Sequence, residues 1–181
     1  TLTFTQTIDT FQIYTLTINN LQDCSTNAAT DSDIFMISGP VPPKRVIFNE
    51  VYFDMSPAAV GLASVEYVEL YNRSIYPVNL SGWNFRDRGI TQHILGNYIL
   101  MPGAYVLLTD VQDTATFSGL PYLGVSSFPA LDDGGDSLSL QDQFSNPVDV
   151  ADYDISWYNS PSQDGGGWSI ELVNPTDTCN T

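Results

Sequence analysis

The chain has 181 residues, and its 21 acidic side chains against five basic ones give a formal net charge of −16. Such a surface repels nucleic acid and anionic lipid, so no nucleic-acid partner is expected. The length suffices for one full domain with a proper core, or one domain plus part of another. Thr, Tyr, Val, Ile and Phe recur along the chain and suit half-buried pleated strands better than helices, so an all-β chain is expected.

Residues 1–19, TLTFTQTIDTFQIYTLTIN, alternate polar and apolar with a break at Asp9–Thr10 and predict two strands. NNLQDCSTNAATDSD is rich in Asn, Asp, Ser and Thr and reads as a loop, followed by a short strand at Ile34–Ile37. Pro40, Pro42 and Pro43 then stiffen an extended connector. Residues 1–38 are thus expected to be a partial β-rich segment, 39–44 a linker, and 45–181 a second domain.

The second domain opens with the strand RVIFNEVYFDM, a loop of small residues, and the strand VEYVELYN. Short strands are predicted at Tyr76–Leu80 and Trp83–Phe85, with Gly82 free to take the positive φ that the SGW turn needs. Gln92–Leu95 and Tyr98–Leu100 flank Gly96–Asn97, a pair suited to a tight turn. AYVLLTD reads as a central strand, and Val111–Leu131 as a long loop. DDGGD leads into strands at Ser137–Gln141 and Val148–Tyr153, and GWSIELV is the last. Short strands separated by frequent turn signals argue for a β-sandwich. In VEYVELYN, Val68 and Leu70 are expected to point inward with Trp83 plugging the core, leaving Glu69 outside between Tyr67 and Tyr71.

After Arg88 the chain has no Lys or Arg, so the C-terminal half carries nearly all the excess acidity. Salt and divalent cations ease such self-repulsion, and an extracellular setting, secreted or at the cell surface, supplies both. Cys24 and Cys179 belong to no CxxC pair, which argues against zinc and redox catalysis. They either close a disulfide between the two ends, stabilising by about 4 kcal/mol if unstrained, or remain unrelated thiols. No stretch approaches the roughly 18 apolar residues of a membrane helix, and no signal peptide is recognisable. The chain is expected to be part of a larger mature protein.

The phrases FNEVYFD, EYVELYNRSIYPVNLSGWNF, LMPGAYVLLTD, LDDGGDSLSLQD, VDVADYD and GGGWSIE, in that order, resemble the lamin tail domain over about residues 45–175. That family has an immunoglobulin-like fold and occurs at the end of nuclear lamins and in many bacterial secreted and surface proteins. The acidic composition and the cysteines resemble the bacterial version more closely, although the glycine–proline phrase that often follows is missing. The segment YTLTINNLQD, leading to a loop with Asn27, is similar to the closing strands of a bacterial Ig-like repeat. The resemblance supplies no catalytic residues. It implies an accessory, tethering or binding role beside neighbouring domains of the same polypeptide, with protein or glycan as further partners, although fold alone does not fix function.

His93 is the one histidine and has no nucleophile setting around it, so a partly buried structural role is expected. Glu50 and Glu69, each mid-strand among aromatics, are the best carboxylates for hydrolysis or for sharing a cation if their strands pair. The plainer reading leaves both solvated, or one paired with Arg73. Asp132, Asp133 and Asp136 in LDDGGD offer oxygens for calcium, which is the cofactor to consider if there is one, although a hairpin turn explains the glycines equally well. Asp31 and Asp33 form a weaker acidic cluster. Trp157 and Tyr158 lie in a loop, where they either stack on a sugar or partner or fold over the sandwich end. Trp168 is expected in the core. Asn72 and Asn79 match the glycosylation sequon but sit in turns where Asn belongs anyway. The expected function is a non-catalytic structural or binding module. Its rivals are a calcium-dependent carbohydrate-binding module and a small hydrolase using Glu50 or Glu69.

Overall fold

The structure, a computed structural model, describes residues 7–25, 27–56, 63–158, 160, 162–163 and 165–177. The chain divides into two units, Thr1–Gly39 and Pro40–Thr181.

The first unit is an antiparallel ribbon of β1 (Ile13–Gln22) and β2 (Ala28–Met36). The polar stretch expected as a loop is therefore largely strand. Its composition misled because both faces of this ribbon are mostly exposed, so no alternation marks it. Asp23 makes the turn: one carboxylate oxygen accepts from the amides of Ser25 and Asn27, the other from the Asn27 side chain. Tyr14 and Phe35, directly opposed, stack at 5.5 Å.

The second unit is a sandwich. One sheet contains β3 (Val46–Tyr52), β4 (Tyr67–Asn72), β9 (Tyr105–Asp110), β10 (Tyr122–Val125) and β13 (Ile170–Glu171), in the order β10-β9-β4-β3-β13. The other contains β6 (Asn84–Arg86), β7 (His93–Ile94), β11 (Gly135–Gln141) and β12 (Pro147–Asp154), in the order β12-β11-β6-β7. A small pair, β5 (Val78–Asn79) with β8 (Ile99–Leu100), closes one corner. Val68, Leu70 and Leu108 of the first sheet and Phe85, Leu138 and Leu140 of the second are all fully buried, and Phe48 packs on Phe85 at 6.1 Å. Trp83 is buried among them, just past Gly82, which takes the expected positive φ of 78°.

Three local expectations change. The strands flanking Gly96–Asn97 do not pair with each other: β7 joins β6 and β8 joins β5, so this stretch carries the chain away from one sheet into the corner pair. The long loop after β9 contains a 3-10 turn at Thr114–Phe117 and the strand β10, which runs parallel to β9. A parallel strand needs a crossover rather than a hairpin, and YLGV is too short to announce itself by period. GWSIELV narrows to two paired residues, and Trp168 is exposed rather than buried.

The outer face of β4 also departs from a simple inside–outside split. Val68 and Leu70 face the core, but Tyr67 and Tyr71 are buried too. The loop after β9 folds back so that Phe117 meets Tyr67 edge-on at 5.5 Å, forming a satellite cluster with Tyr52 and Leu107. Residues 40–44, read as a connector, lie along the sandwich. Val41 is buried, its amide donates to Asp142, and the Lys44 amide donates to the Val148 carbonyl. Lys44 sits at φ 63° in the turn from Pro42 to Arg45, the position where such a turn prefers glycine.

Candidate functional site

Pairing of β3 with β4 and of β13 with β3 sets Glu171, Glu50 and Glu69 directly opposite one another in one row across three strands. Directly opposed side chains in an antiparallel pair lie about 5 Å apart at Cβ, and like charges there repel. The register slips at Asn49, so Asn49 and Glu50 both oppose Glu69. The bulge aims the Asn49 side-chain amide at Glu69, to which it donates at 2.7 Å. The Tyr67 hydroxyl donates to Glu50 at 2.8 Å.

Burial raises the Glu69 pKa, and the neighbouring charges of Glu50 and Glu171 add to the effect while the Asn49 hydrogen bond opposes it. Burial, followed by the hydrogen bond to Glu50, drives the Tyr67 hydroxyl far above its ordinary range, so it stays a donor. Arg73 pairs with neither glutamate among the described residues. The two carboxylates are thus brought together as acid–base chemistry would require, yet both are held by donors from their own sheet.

In LDDGGD the Gly135 amide donates to the Asp132 carbonyl, closing a tight turn into β11. At Gly135, with φ 133°, a Cβ would sit 2.7 Å from the Tyr153 carbonyl oxygen, so only glycine fits. Asp136 is buried. It accepts from its neighbour Ser137 and from the Arg88 amide, and forms a long 3.8 Å ion pair with the Arg88 side chain. Asp133 is raised by burial and by the charges of Asp54 and Asp132. Among the described residues, no group of three or more His, Cys, Asp or Glu is placed to hold a metal ion.

Tyr158 folds over the sandwich end: its ring stacks on buried Phe53 at 5.7 Å and its hydroxyl donates to the Trp168 carbonyl. Burial, with Asp54 nearby, pushes that hydroxyl up to about 12. Trp157, the adjacent residue, is 56% exposed and borders a cavity that also touches Lys44 and Arg73. His93 is buried in β7 beside Phe85, as a structural histidine would be. Cys24 is exposed, and Cys179 lies outside the described residues.

Three residues that matter were not singled out by sequence reasoning for the roles they take. Asn72 is fully buried and makes four side-chain hydrogen bonds, to Tyr76, Leu100 and, twice, Ser74. It braces the corner, a role its sequon does not announce. Lys44 stands out through its ion pair with Asp149, and Arg73 through the lack of any hydrogen-bond partner for its guanidinium among the described residues, although the scarcity of basic residues in so acidic a chain was a usable signal.

A sandwich of two facing sheets with a small corner pair is an immunoglobulin-like all-β fold, here with polar groups that serve its own architecture. The chain matches the Lamin Tail Domain family over residues 40–155 and belongs to that family. No curated protein matches it. Among the described residues no helix is long and apolar enough to cross a membrane.

Proposed function

We propose that the chain is a non-catalytic module of a larger secreted or cell-surface protein, one that spaces, tethers or binds rather than transforms a substrate. The observation that carries this reading is the state of Glu50 and Glu69. They are the best-placed carboxylates for acid–base work, yet each is already bonded within its own sheet, to Tyr67 and to Asn49. Neither borders the cavity beside Trp157 or the one beside Glu66. Membership of an immunoglobulin-like family supports the same reading, as does an acidic surface that favours solubility in a saline, cation-rich medium.

The test is a panel of ester, phosphoester and glycoside substrates, run on the wild type beside the double variant Glu50→Gln/Glu69→Gln. No turnover above that of the double variant is expected. Turnover in the wild type that disappears in the double variant would establish a hydrolase instead. Protease shaving of intact cells that express the parent polypeptide tests the location, and a module shielded from added protease contradicts surface display.

A further inference from the structure

The cavity beside Trp157, of about 180 Å³, opens where both sheets leave an edge uncovered. β12 is an edge strand, and β13 pairs with β3 over two residues only, after which the Leu172 amide donates to the Asn49 carbonyl as the last link. Ile47 of β3, Val150 of β12 and Leu172 supply an apolar wall. Trp157 borders the same cavity from the 3-10 turn Ile155–Tyr158. The next residue pins that turn, because the Tyr158 ring stacks on Phe53 and its hydroxyl donates to the Trp168 carbonyl. The indole is thus held at the surface by an anchored turn, and Val150 and Leu172 are exposed too.

The charges of the lining cancel, Lys44 and Arg73 against Asp149 and Asp152. In a chain of net charge −16 this is a neutral spot, with no bias toward an anion or a cation. Two of the four groups are beyond a ligand's reach. The Arg73 guanidinium nitrogens are buried, and so is Asp149, whose oxygens meet the Phe48 amide at 2.8 Å and the Lys44 ammonium at 2.6 Å. The other two are accessible. The Lys44 side chain is 39% exposed, and its ammonium keeps donors beyond the one directed at Asp149. Asp152 is exposed and enters no ion pair among the described residues. A donor and an acceptor beside an exposed aromatic face match a molecule that carries hydroxyls around an apolar ring face, since each hydroxyl both donates and accepts.

We infer that this cavity binds a neutral sugar ring, stacked on Trp157, with Asp152 accepting from its hydroxyls and Lys44 donating to one of them. Recognition is direct, since among the described residues no group of three or more His, Cys, Asp or Glu is placed to hold a bridging metal ion. The inference rests on the reading of the chain as a module that binds, and it gives that binding a ligand class.

The test titrates the full chain in EDTA with methyl β-glucoside, methyl β-galactoside, N-acetylglucosamine and the tetrasaccharides of glucose and N-acetylglucosamine, following the Trp157 indole signal by NMR. Glycerol, glucuronate, glucosamine and leucine serve as ringless, anionic, cationic and zwitterionic comparisons. At least one neutral saccharide is expected to shift the signal below about 10 mM, with every comparison at least about tenfold weaker. Ligand-observed NMR then reads that saccharide on two variants. Trp157→Ala should lose binding, and Asp152→Asn should weaken it about tenfold through loss of a charge-assisted hydrogen bond while melting like wild type. No shift by any neutral saccharide, a response equalled by any comparison, a shift that appears only when calcium replaces EDTA, or undiminished binding in either variant would overturn the inference. If Trp157→Ala fails to fold, Asp152→Asn and the wild-type comparisons still decide. A silent saccharide panel with a silent substrate panel removes this ligand class and leaves the non-catalytic reading standing. Turnover that disappears in Glu50→Gln/Glu69→Gln would remove that reading instead.

Discussion

Asn72 stands at the end of β4 with no exposed surface, and its side chain ties the chain corner to the turn at Ser74–Tyr76 and to Leu100. Removing it strands several buried donors and acceptors at once, and each unmet group costs about 1–3 kcal/mol. Asn72→Ala is therefore expected to destabilise by about 3 kcal/mol or more and to lower the melting temperature by about 10 °C. A shift of a degree or two would show that the hydrogen bonds are replaceable. The same burial predicts an unmodified Asn72 when the chain is secreted from a glycosylating host, checked by peptide mass spectrometry. At this scale the apolar side chains were readable. Val68, Leu70 and Trp83 announce their burial by parity and by the glycine turn, because burial follows from the residue's own chemistry and its period. Arg73 was not readable, because being unpaired depends on which side chains other strands bring to it.

The strands β13, β3 and β4 carry Glu171, Glu50 and Glu69 in one row, and the sheet tolerates this by donating to two of them from Asn49 and Tyr67. Because burial raises the Glu69 pKa above its ordinary 4.5, the folded chain holds this proton more tightly than the unfolded one. Between 4.5 and the raised value the folded state binds more protons, so stability falls as pH climbs through that window and recovers below it. Glu69→Gln, which keeps an acceptor for Asn49, should stabilise at pH 7 by up to about 1 kcal/mol. The gain should vanish once the pH drops below about 4.5, where both versions are neutral. A variant less stable than wild type at pH 7 would mean that the charge contributes something the sheet needs. Element by element, the strands with long alternating or apolar runs, β3, β4, β9, β11 and β12, were legible in the sequence. The short ones, β7, β8 and β10, were mis-paired or missed, since two to four residues carry too little period to fix a partner and their pairing is decided across the fold. The calcium expectation belongs here too. One Asp136 oxygen already accepts from the Arg88 and Ser137 amides, and among the described residues no three acidic groups are placed to hold a metal ion. Melting in millimolar calcium is expected to match melting in magnesium at equal ionic strength, and a rise specific to calcium would point to a site there.

For the whole molecule, a net charge of −16 means that compaction works against self-repulsion. Added salt shortens the range of that repulsion, so the melting temperature should climb by several degrees from about 10 mM to about 0.15 M sodium chloride. The family match ends at residue 155, but the sandwich does not. Beyond that point Tyr158 covers Phe53, and β13 pairs with Val51 and Glu50. Residues 40–177 form one two-sheet body that folds from its own apolar interior, with Asp136, Asp142 and Asp149 as the buried aspartates among the described residues. Thermal unfolding of that fragment, followed together by tryptophan fluorescence and far-ultraviolet circular dichroism, tests this most directly. Both probes should trace a single coincident transition, and a fragment ending at residue 155 should melt several degrees lower. Separate transitions for the two probes, or equal melting of the two fragments, would contradict the claim.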